Sequence, residues 1–163
     1  MPCSSSTIKH SALNIEHSHV AYLGLGSNLG DREANISRAI ALIAEQAGTV
    51  VRQSALFYSE PWGFESENAF VNAVVCIETQ LTPHRLLRTT QRIERQRGKD
   101  SRHATQRTAG EADVYHDRPI DIDILLYDDI TLHTPKLTIP HPHMYERPFV
   151  TVPLQEVFKD LSN

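Results

Sequence analysis

The segment RPIDIDILLYDD, residues 118–129, constrains the fold most strongly because isoleucine and aspartate alternate along it. Side chains on a β-strand point to opposite faces in turn, so the three isoleucines share one face while Asp121 and Asp123 share the other. Aspartate is depleted in strands, and burying an unpaired carboxylate is costly. The alternation therefore predicts a strand with one face in the core and a carboxylate pair that faces something positive.

Two interpretations of this carboxylate pair are open from the residues alone. In the plainer one, the pair faces solvent or arginines such as Arg118, as in an ordinary amphipathic strand. In the other, the pair binds a divalent cation, because Mg²⁺ in proteins uses one or two carboxylates together with water and substrate phosphate oxygens. The second interpretation predicts a substrate that carries phosphate.

Composition and charge limit the classes of protein to consider. The 163 residues are 40% hydrophobic and 22% charged, which predicts one globular domain with a substantial core. A net charge of −4, without a basic tail or stripe, argues against nucleic-acid binding. Cys3 and Cys76 form no disulfide framework and indicate a reducing compartment.

The N-terminal sequence and the apolar runs bear on location. Residues 1–19 lack the apolar core of a signal peptide, and no later run is long enough to span a membrane. We therefore expect a cytoplasmic protein without membrane contact. Residues 1–19 are expected to form a flexible extension, and residues 20–163 a single domain.

Hydrophobic periodicity and turn residues predict the order of the secondary structure. The predicted strands are 20–27, 50–58, 69–79, the aspartate strand within 118–127, and 130–134; the predicted helices are 32–47, 82–98 and a proline-containing C-terminal helix that ends near 158. The order β-α-β-β-α-β predicts a ferredoxin-like α+β sandwich with an antiparallel sheet, plus the C-terminal helix. Its two principal helices would cover one face of the sheet and leave the other face free for a site.

The segment GLGSNLG, residues 24–30, resembles a nucleotide-binding glycine motif but is incomplete. Leu29 stands where the dinucleotide fingerprint requires its third glycine, and the chain has no P-loop pattern. The segment is instead typical of a tight turn from strand to helix, with Asn28 in an unusual backbone conformation. If ATP binds, a metal and arginines must then hold its phosphates.

Five separated stretches together resemble one protein family. They are GLGSNLGDR (24–32), PWG with FVNAV (61–63 and 70–74), QRIERQRG (91–98), RPIDIDILLY (118–127) and LTIPHPHMYERPF (137–149). In this order they resemble the 6-hydroxymethyl-7,8-dihydropterin pyrophosphokinases, over about residues 20–158. The resemblance implies a ferredoxin-like fold and a folate-pathway enzyme, expected to act as a monomer. Such an enzyme moves the terminal diphosphate of ATP onto the hydroxymethyl group of the pterin and releases AMP.

The resemblance also implies roles for individual residues. Asp121 and Asp123 match the aspartates that hold two Mg²⁺ ions, and Arg118 and Arg102 are the cations expected to contact phosphate. The residues that match the ATP site are Gln91, Glu94, Ile124, Leu137, Thr138, His141 and Arg147. Those that match the pterin site are Pro61, Trp62, Gly63, Phe70, Asn72 and Phe149.

Plainer roles are open for several of these residues when the resemblance is set aside. Gln91 and Glu94 could lie on a solvated helix surface, and Phe70 and Phe149 could be ordinary core residues. A lone histidine such as His141 is more often structural than catalytic.

The segment from Lys99 to Asp117 departs most from the family. Family members usually begin it with G-R-x-R and carry a tryptophan before the aspartate strand. Here Lys99 takes the place of the first arginine, Arg102 is shifted, and Tyr115 stands near the position of the tryptophan. The polar composition predicts a mobile loop that becomes ordered when both substrates bind.

Two other classes of function compete with the pyrophosphokinase. A metal-dependent phosphodiesterase or nuclease could use two aspartates, but it would need a nucleic-acid footprint or more metal ligands. A ferredoxin-like regulatory module would explain the fold but not the aspartate pair beside Arg118. Release of AMP from ATP only in the presence of the pterin would select the pyrophosphokinase.

Overall fold

The computed structural model describes residues 18–59, 69–104 and 119–162, except for the side chains of 97–104 and 159–162. Seven strands are described, namely β1 (His19–Ser27), β2 (Thr49–Gln53), β3 (Phe57–Ser59), β4 (Phe70–Thr79), β5 (Asp121–Tyr127), β6 (Leu132–His133) and β7 (Thr138–Ile139). The helices are α1 (Arg32–Gln46), α2 (Pro83–Ala104), a short 3₁₀ helix (Met144–Glu146) and α3 (Pro148–Ser162). No helix in these described ranges is long and apolar enough to cross a membrane.

The principal sheet has the strand order β2-β4-β1-β5, and all of these pairs are antiparallel. With α1 after β1 and α2 after β4, the connections are those of the ferredoxin-like motif, so the predicted fold class is confirmed. Strand β3 is an addition that pairs only with the first residues of β4. Strands β6 and β7 form a separate two-stranded hairpin.

One face of the sheet packs on α1 and α2, as the alternation in β5 predicts. Ile120, Ile122 and Ile124 are buried in one cluster with residues of both helices. The helix residues in this cluster include Ile36, Ala39, Ile43, Leu86 and Ile93. The aspartates of β5 therefore lie on the opposite face of the sheet.

The opposite face is only partly free, which corrects the expectation from the sequence. A second buried cluster lies there, in which α3 and the 3₁₀ helix cover one part of the sheet. Its members are Tyr22, Val74, Cys76, Leu125, Met144, Leu154 and Val157. The carboxylate end of β5 and the start of β4 are outside this cluster, so the candidate site is limited to that end of the sheet.

Three local predictions need correction. The predicted strand 50–58 is broken at Ser54, because its hydroxyl accepts a hydrogen bond from Val74 N (3.0 Å) and donates one to Ala55 O (2.7 Å). Helix α2 continues beyond Gly98 to Ala104, since one glycine inside a helix costs only about 1 kcal/mol. In the turn after β1, the residue with a positive φ is Gly30, at 71°, not Asn28.

The first strand begins one residue earlier than predicted. Strand β1 begins at His19, the last residue assigned to the extension. The Nδ1 atom of His19 lies 2.7 Å from a carboxylate oxygen of Asp128, and the other oxygen of that carboxylate accepts a bond from Val20 N (2.8 Å). These two bonds hold the start of β1 against the turn that follows β5.

Helix α1 ends at the predicted glycine for a steric reason. The amide of Gly48 donates to Ile43 O at 3.1 Å, which closes the last turn of the helix. An ideal Cβ at position 48 would lie 2.2 Å from the carbonyl oxygen of Glu78, in the backbone of β4. Only glycine lets the chain pass so close to this strand.

We expect Gly48→Ala to lower the free energy of unfolding by about 1–3 kcal/mol, because the backbone of β2 or β4 must shift to admit the methyl group. Gly24→Ala is the matched control, since its Cβ would meet only Leu125 Cδ1, at 3.4 Å. Urea denaturation of both variants measures the difference. Equal stabilities would contradict the steric explanation.

Candidate active site

Two glycines of the central strand β1 lie between the carboxylates of β5 and the first half of β4. Gly26 pairs with Asn72 on one side and with Asp121 on the other. Gly24 pairs in the same way with Val74 and Asp123. Since paired residues of antiparallel strands share a face, these positions form one surface to which β1 adds no side chain of its own at Gly24 or Gly26. The side chain of Leu125 lies over Gly24, and that of Asn72 lies over Gly26.

The carboxylates of Asp121 and Asp123 lie together at one border of this surface. Both residues are partly exposed, and 41% of the Asp123 side chain is accessible. Their partners on β1 are Gly26 and Gly24, which add no side chain beside the carboxylates. The described residues contain no group of three or more histidine, cysteine, aspartate or glutamate side chains placed to hold a metal. Asp121 and Asp123 therefore stay the predicted residues for a hard cation.

His141 is held beside the carboxylates by its backbone. Strand β5 has an irregularity in its pairing near Leu125, and the carbonyl of Leu125 accepts a bond from His141 N at 3.0 Å. The Nε2 atom of His141 lies 3.9 Å from a carboxylate oxygen of Asp123. The amide of His143 donates to His141 Nδ1 at 3.3 Å. This bond leaves the ring proton on Nε2, so a neutral His141 presents an N–H group on the side of Asp123.

The surroundings of His141 favour its neutral form. Burial, together with the neighbouring Arg147 and His143, lowers the pKa of His141, against the opposing effect of Asp121. The bond from the backbone amide to Nδ1 acts in the same direction, because that nitrogen cannot be protonated while it accepts. In this neutral form His141 is a hydrogen-bond donor through Nε2.

Arg147 supplies the positive charge on this side of the site. It comes just before α3, and its carbonyl accepts bonds from Val150 N and Thr151 N, both at 2.9 Å. Its guanidinium carbon lies 5.7 Å from the centre of the Phe149 ring. A guanidinium that stacks on an aromatic ring leaves its N–H donors, which lie in the guanidinium plane, available for other bonds. Their planar arrangement matches the geometry of phosphate oxygens.

Asn72 and Phe70 border the surface on the side of β4. Asn72 is 8% exposed, and its Nδ2 donates to Leu25 O at 3.3 Å. Its Oδ1 is buried and has no hydrogen-bond partner among the described residues. A Cβ at position 26 would lie 2.7 Å from Asn72 Nδ2 and 3.9 Å from a ring carbon of Phe70. The surface thus offers a buried acceptor and a ring edge directly beside Gly26.

Glu94 of α2 contacts the edge strand of the sheet. Its carboxylate accepts a bond from Ile122 N at 2.7 Å, between the two aspartates. Among the described strands β5 is at the edge of the sheet, so within that part of the chain this amide has no partner strand on that side. Gln91, one turn earlier, is exposed. The structure thus gives Glu94 a role in fixing β5, and its predicted contact with a nucleotide stays a prediction.

The other predicted residues are distributed as follows. Ile124 and Leu137 are buried in the core below α1 and α2, and Thr138 is half-buried in β7. Several predicted residues lie outside the described part of the chain, namely Pro61, Trp62, Gly63, Arg118 and the side chain of Arg102. The greater part of the predicted loop 99–117, from residue 105 onward, lies outside it as well.

Sequence reasoning missed the role of Gly24 and Gly26. Both lie inside the predicted strand 20–27 and inside β1, but their spacing was related only to a nucleotide-binding glycine motif. Their spacing of two was the available signal, because glycines two apart on a strand remove neighbouring side chains from the same face.

Comparison with known proteins points to one family. A family model described as 7,8-dihydro-6-hydroxymethylpterin-pyrophosphokinase (HPPK) matches residues 22–159. A 2-amino-4-hydroxy-6-hydroxymethyldihydropteridine pyrophosphokinase of Porphyromonas gingivalis is 45% identical over 139 residues, which are 85% of this chain and 90% of the relative. The protein of the same name from Bacillus subtilis is 39% identical over 145 residues, which are 88% of this chain and 81% of the relative.

Among solved structures, the chain is similar to part of a larger protein. The crystal structure of wild-type Plasmodium falciparum HPPK-DHPS with SDX-DHP matches with a TM-score of 0.63 and 15% sequence identity. The match covers 85% of this chain and 40% of the solved chain. At this identity the likeness concerns the fold.

We expect Glu94→Ala to lower the free energy of unfolding by about 1.5–3 kcal/mol, because Ile122 N loses a charged acceptor. Glu94→Gln keeps an oxygen that can accept the bond and should lose less. Gln91→Ala, on the exposed surface of the same helix, is the control and should change stability by no more than about 0.5 kcal/mol.

Amide hydrogen exchange at Ile122 tests the contact directly. Exchange should be faster in Glu94→Ala than in the unsubstituted protein, and close to normal in Glu94→Gln. Unchanged exchange and stability in Glu94→Ala would show that the contact does not hold β5.

Proposed function

Because the chain belongs to the 6-hydroxymethyl-7,8-dihydropterin pyrophosphokinase family, we propose that Asp121 and Asp123 hold its Mg²⁺ ions and that the surface at Gly26 binds the pterin. The enzyme transfers diphosphate from ATP to the hydroxymethyl group of the pterin in folate biosynthesis, and AMP is the other product. One observation carries the proposal. The carboxylate pair lies on one side of Gly26, and the buried Asn72 Oδ1, which has no hydrogen-bond partner among the described residues, lies on the other side.

The aspartate pair suits Mg²⁺ by its chemistry and its surroundings. Asp121 and Asp123 are two partly exposed carboxylates. Mg²⁺ commonly has one or two carboxylate ligands from the protein, and phosphate oxygens and water complete its coordination. Asp121 and Asp123 would hold two ions, as the sequence predicts. When bound, Mg²⁺ would neutralise and orient the triphosphate of ATP.

His141 and Arg147 are the described groups best placed to bind the phosphates of ATP. Arg147 carries a permanent positive charge, and neutral His141 offers its Nε2–H beside Asp123. A neutral donor is useful here because it can bond a phosphate oxygen without forming a competing ion pair with the carboxylates. Arg118 and Arg102 would add charge to this group.

The pterin fits the surface beside Asn72. Strands β4 and β5 flank β1, so their backbones are about 9.5 Å apart, which is twice the usual strand spacing. A flat heterocycle over Gly26 could donate to Asn72 Oδ1 on one side and direct its hydroxymethyl group toward the carboxylates on the other. Phe70 and Phe149 would supply ring contacts.

The transfer requires little from the protein beyond positioning and charge. The hydroxymethyl oxygen attacks the β-phosphorus of ATP, the hydroxyl proton is released, and the bond from this phosphorus to the oxygen of AMP breaks. Asn72 and Phe70 would fix the attacking group, while Arg147 and His141 would fix the phosphates, so that both reactants are held in line.

Several further predictions from the sequence accompany this proposal. Gln91, Glu94, Ile124, Leu137 and Thr138 would complete the ATP site, and Pro61, Trp62 and Gly63 the pterin site. Residues 20–163 would form the catalytic domain of a cytoplasmic monomer.

We expect Asp121→Asn and Asp123→Asn each to reduce turnover by at least about 10- to 100-fold. This is the loss that is typical when a residue bonded to a metal ligand is removed, and a ligand itself should matter at least as much. The fold should stay intact, since the isoleucine face of β5 is untouched. The measurement is AMP release at several Mg²⁺ concentrations, with the melting temperature as a check on folding. Asp129→Asn, in the exposed turn after β5, is the control. Normal activity and an unchanged Mg²⁺ requirement in both site variants would overturn the metal assignment.

We expect Asn72→Ala to weaken pterin binding about 5- to 150-fold, the equivalent of about 1–3 kcal/mol for a lost buried polar pairing. The affinity for ATP measured without pterin should change little. Calorimetric titration with each substrate tests this, and Gln80→Ala, at the exposed end of β4, is the control. Unchanged pterin affinity in Asn72→Ala would leave Asn72 with a structural role only.

A further inference from the structure

The first turn of α1 contacts the three strands that meet at the pterin end of the sheet. Arg32 bonds to the residue before β4, Glu33 to β3, and Asn35 to the end of β1. We propose that Arg32 is a positioning residue for pterin binding, because it fixes the start of the strand that carries Phe70 and Asn72. This inference rests on the proposed pterin site.

The contact of Arg32 is made to backbone and not to a side chain. Its guanidinium donates to the carbonyl of Ala69 at 2.7 Å, in a partly buried setting. Bonds from a charged donor are shorter and stronger than neutral ones. Ala69 directly precedes Phe70, so the bond fixes β4 one residue before Phe70 and three before Asn72.

The same helical turn is itself fixed to β1. The side-chain amide of Asn35 donates to Ser27 Oγ at 3.2 Å and to Leu29 O at 2.8 Å. The Asp31 side chain caps the helix by accepting from Ala34 N at 3.1 Å. Arg32 therefore links β4 to a helix whose position relative to β1 is set, and β1 carries Gly26.

A third contact joins β3 to this turn. The hydroxyl of Tyr58 donates to the Glu33 carboxylate at 2.5 Å, and β3 pairs with β4 through Ser59 and Phe70. The hydrogen bond to Glu33 raises the pKa of Tyr58. This contact is exposed, whereas that of Arg32 is partly buried, so Arg32 is the stronger candidate for holding β4.

The position of β4 matters because the surface beside Gly26 is narrow. A Cβ on Gly26 would already approach Asn72 Nδ2 to 2.7 Å, so a small displacement of β4 changes the space open to a ligand. The ends of strands open most easily, and β4 begins at Phe70. Misplacement of a group by about 1 Å can reduce the rate of a reaction on the order of 10²-fold.

The test compares Arg32→Met with Arg38→Met in the full-length chain. Arg38 lies on the same helix and is exposed, so the control loses the same charge without this contact. Pterin affinity is measured calorimetrically with a non-hydrolysable ATP analogue bound, and ATP affinity is measured without pterin. We expect Arg32→Met to weaken pterin binding about 10- to 100-fold, to leave ATP affinity within about twofold, and Arg38→Met to change neither.

Two further variants separate positioning from general stability and from failure of the site. Arg32→Lys, which keeps a charged donor, should recover part of the pterin affinity. Combining Arg32→Met with Asn72→Ala should give less than the sum of the two effects, because both act through the same strand. A loss of ATP and pterin affinity to the same extent, or unchanged pterin affinity in Arg32→Met, would overturn the inference. If Asn72→Ala is also without effect, the proposed pterin site fails with it.

Discussion

The hydrogen-bonded ladders on either side of β1 bring the residues of the proposed site together. Asn72 and Asp121 belong to strands far apart in the sequence, and each lies opposite Gly26 only because β4 and β5 both pair with β1 in this register. A shift of either pairing by one residue would turn its polar side chain toward the isoleucine core. The two helices that bury the other face thus also fix the register on which the site depends.

The edge strand β5 illustrates how the site and the stability of the sheet are combined. Its outer backbone groups face no other strand in the described ranges, and two of its backbone groups are bonded by residues of the proposed site. Glu94 accepts from Ile122 N, and His141 N donates to Leu125 O. Each bond satisfies a backbone group and, at the same time, places a polar residue beside the aspartates.

Local sequence patterns predicted the parts of the structure that depend on periodicity. The alternation in β5, the helical spacing of Ile36 and Ile43, and the element order were sufficient for the ferredoxin-like arrangement. The residue roles came from the family resemblance and all stay predictions, and for Arg118 and Trp62 the position is not described either.

Other features of the structure depend on tertiary contacts, which local sequence patterns do not show. The hydroxyl of Ser54 breaks a continuous β-pattern through its bonds to Val74 and Ala55, and no neighbouring residue in the sequence signals them. The contact of Glu94 with Ile122 joins residues 28 apart, so helical spacing showed the face of the residue but not its partner. Helix α3 packs on Val74 and Cys76, which are far from it in the sequence, so local patterns did not indicate this contact either.

The absence of side chains at Gly24 and Gly26 also has a consequence for inhibitor design. The Asn72 side chain lies so close over Gly26 that a methyl group there would come within 2.7 Å of its Nδ2. Substituents that project from a planar ligand toward the sheet would therefore meet Asn72. Chemical elaboration should extend in the plane of the ring or away from the sheet.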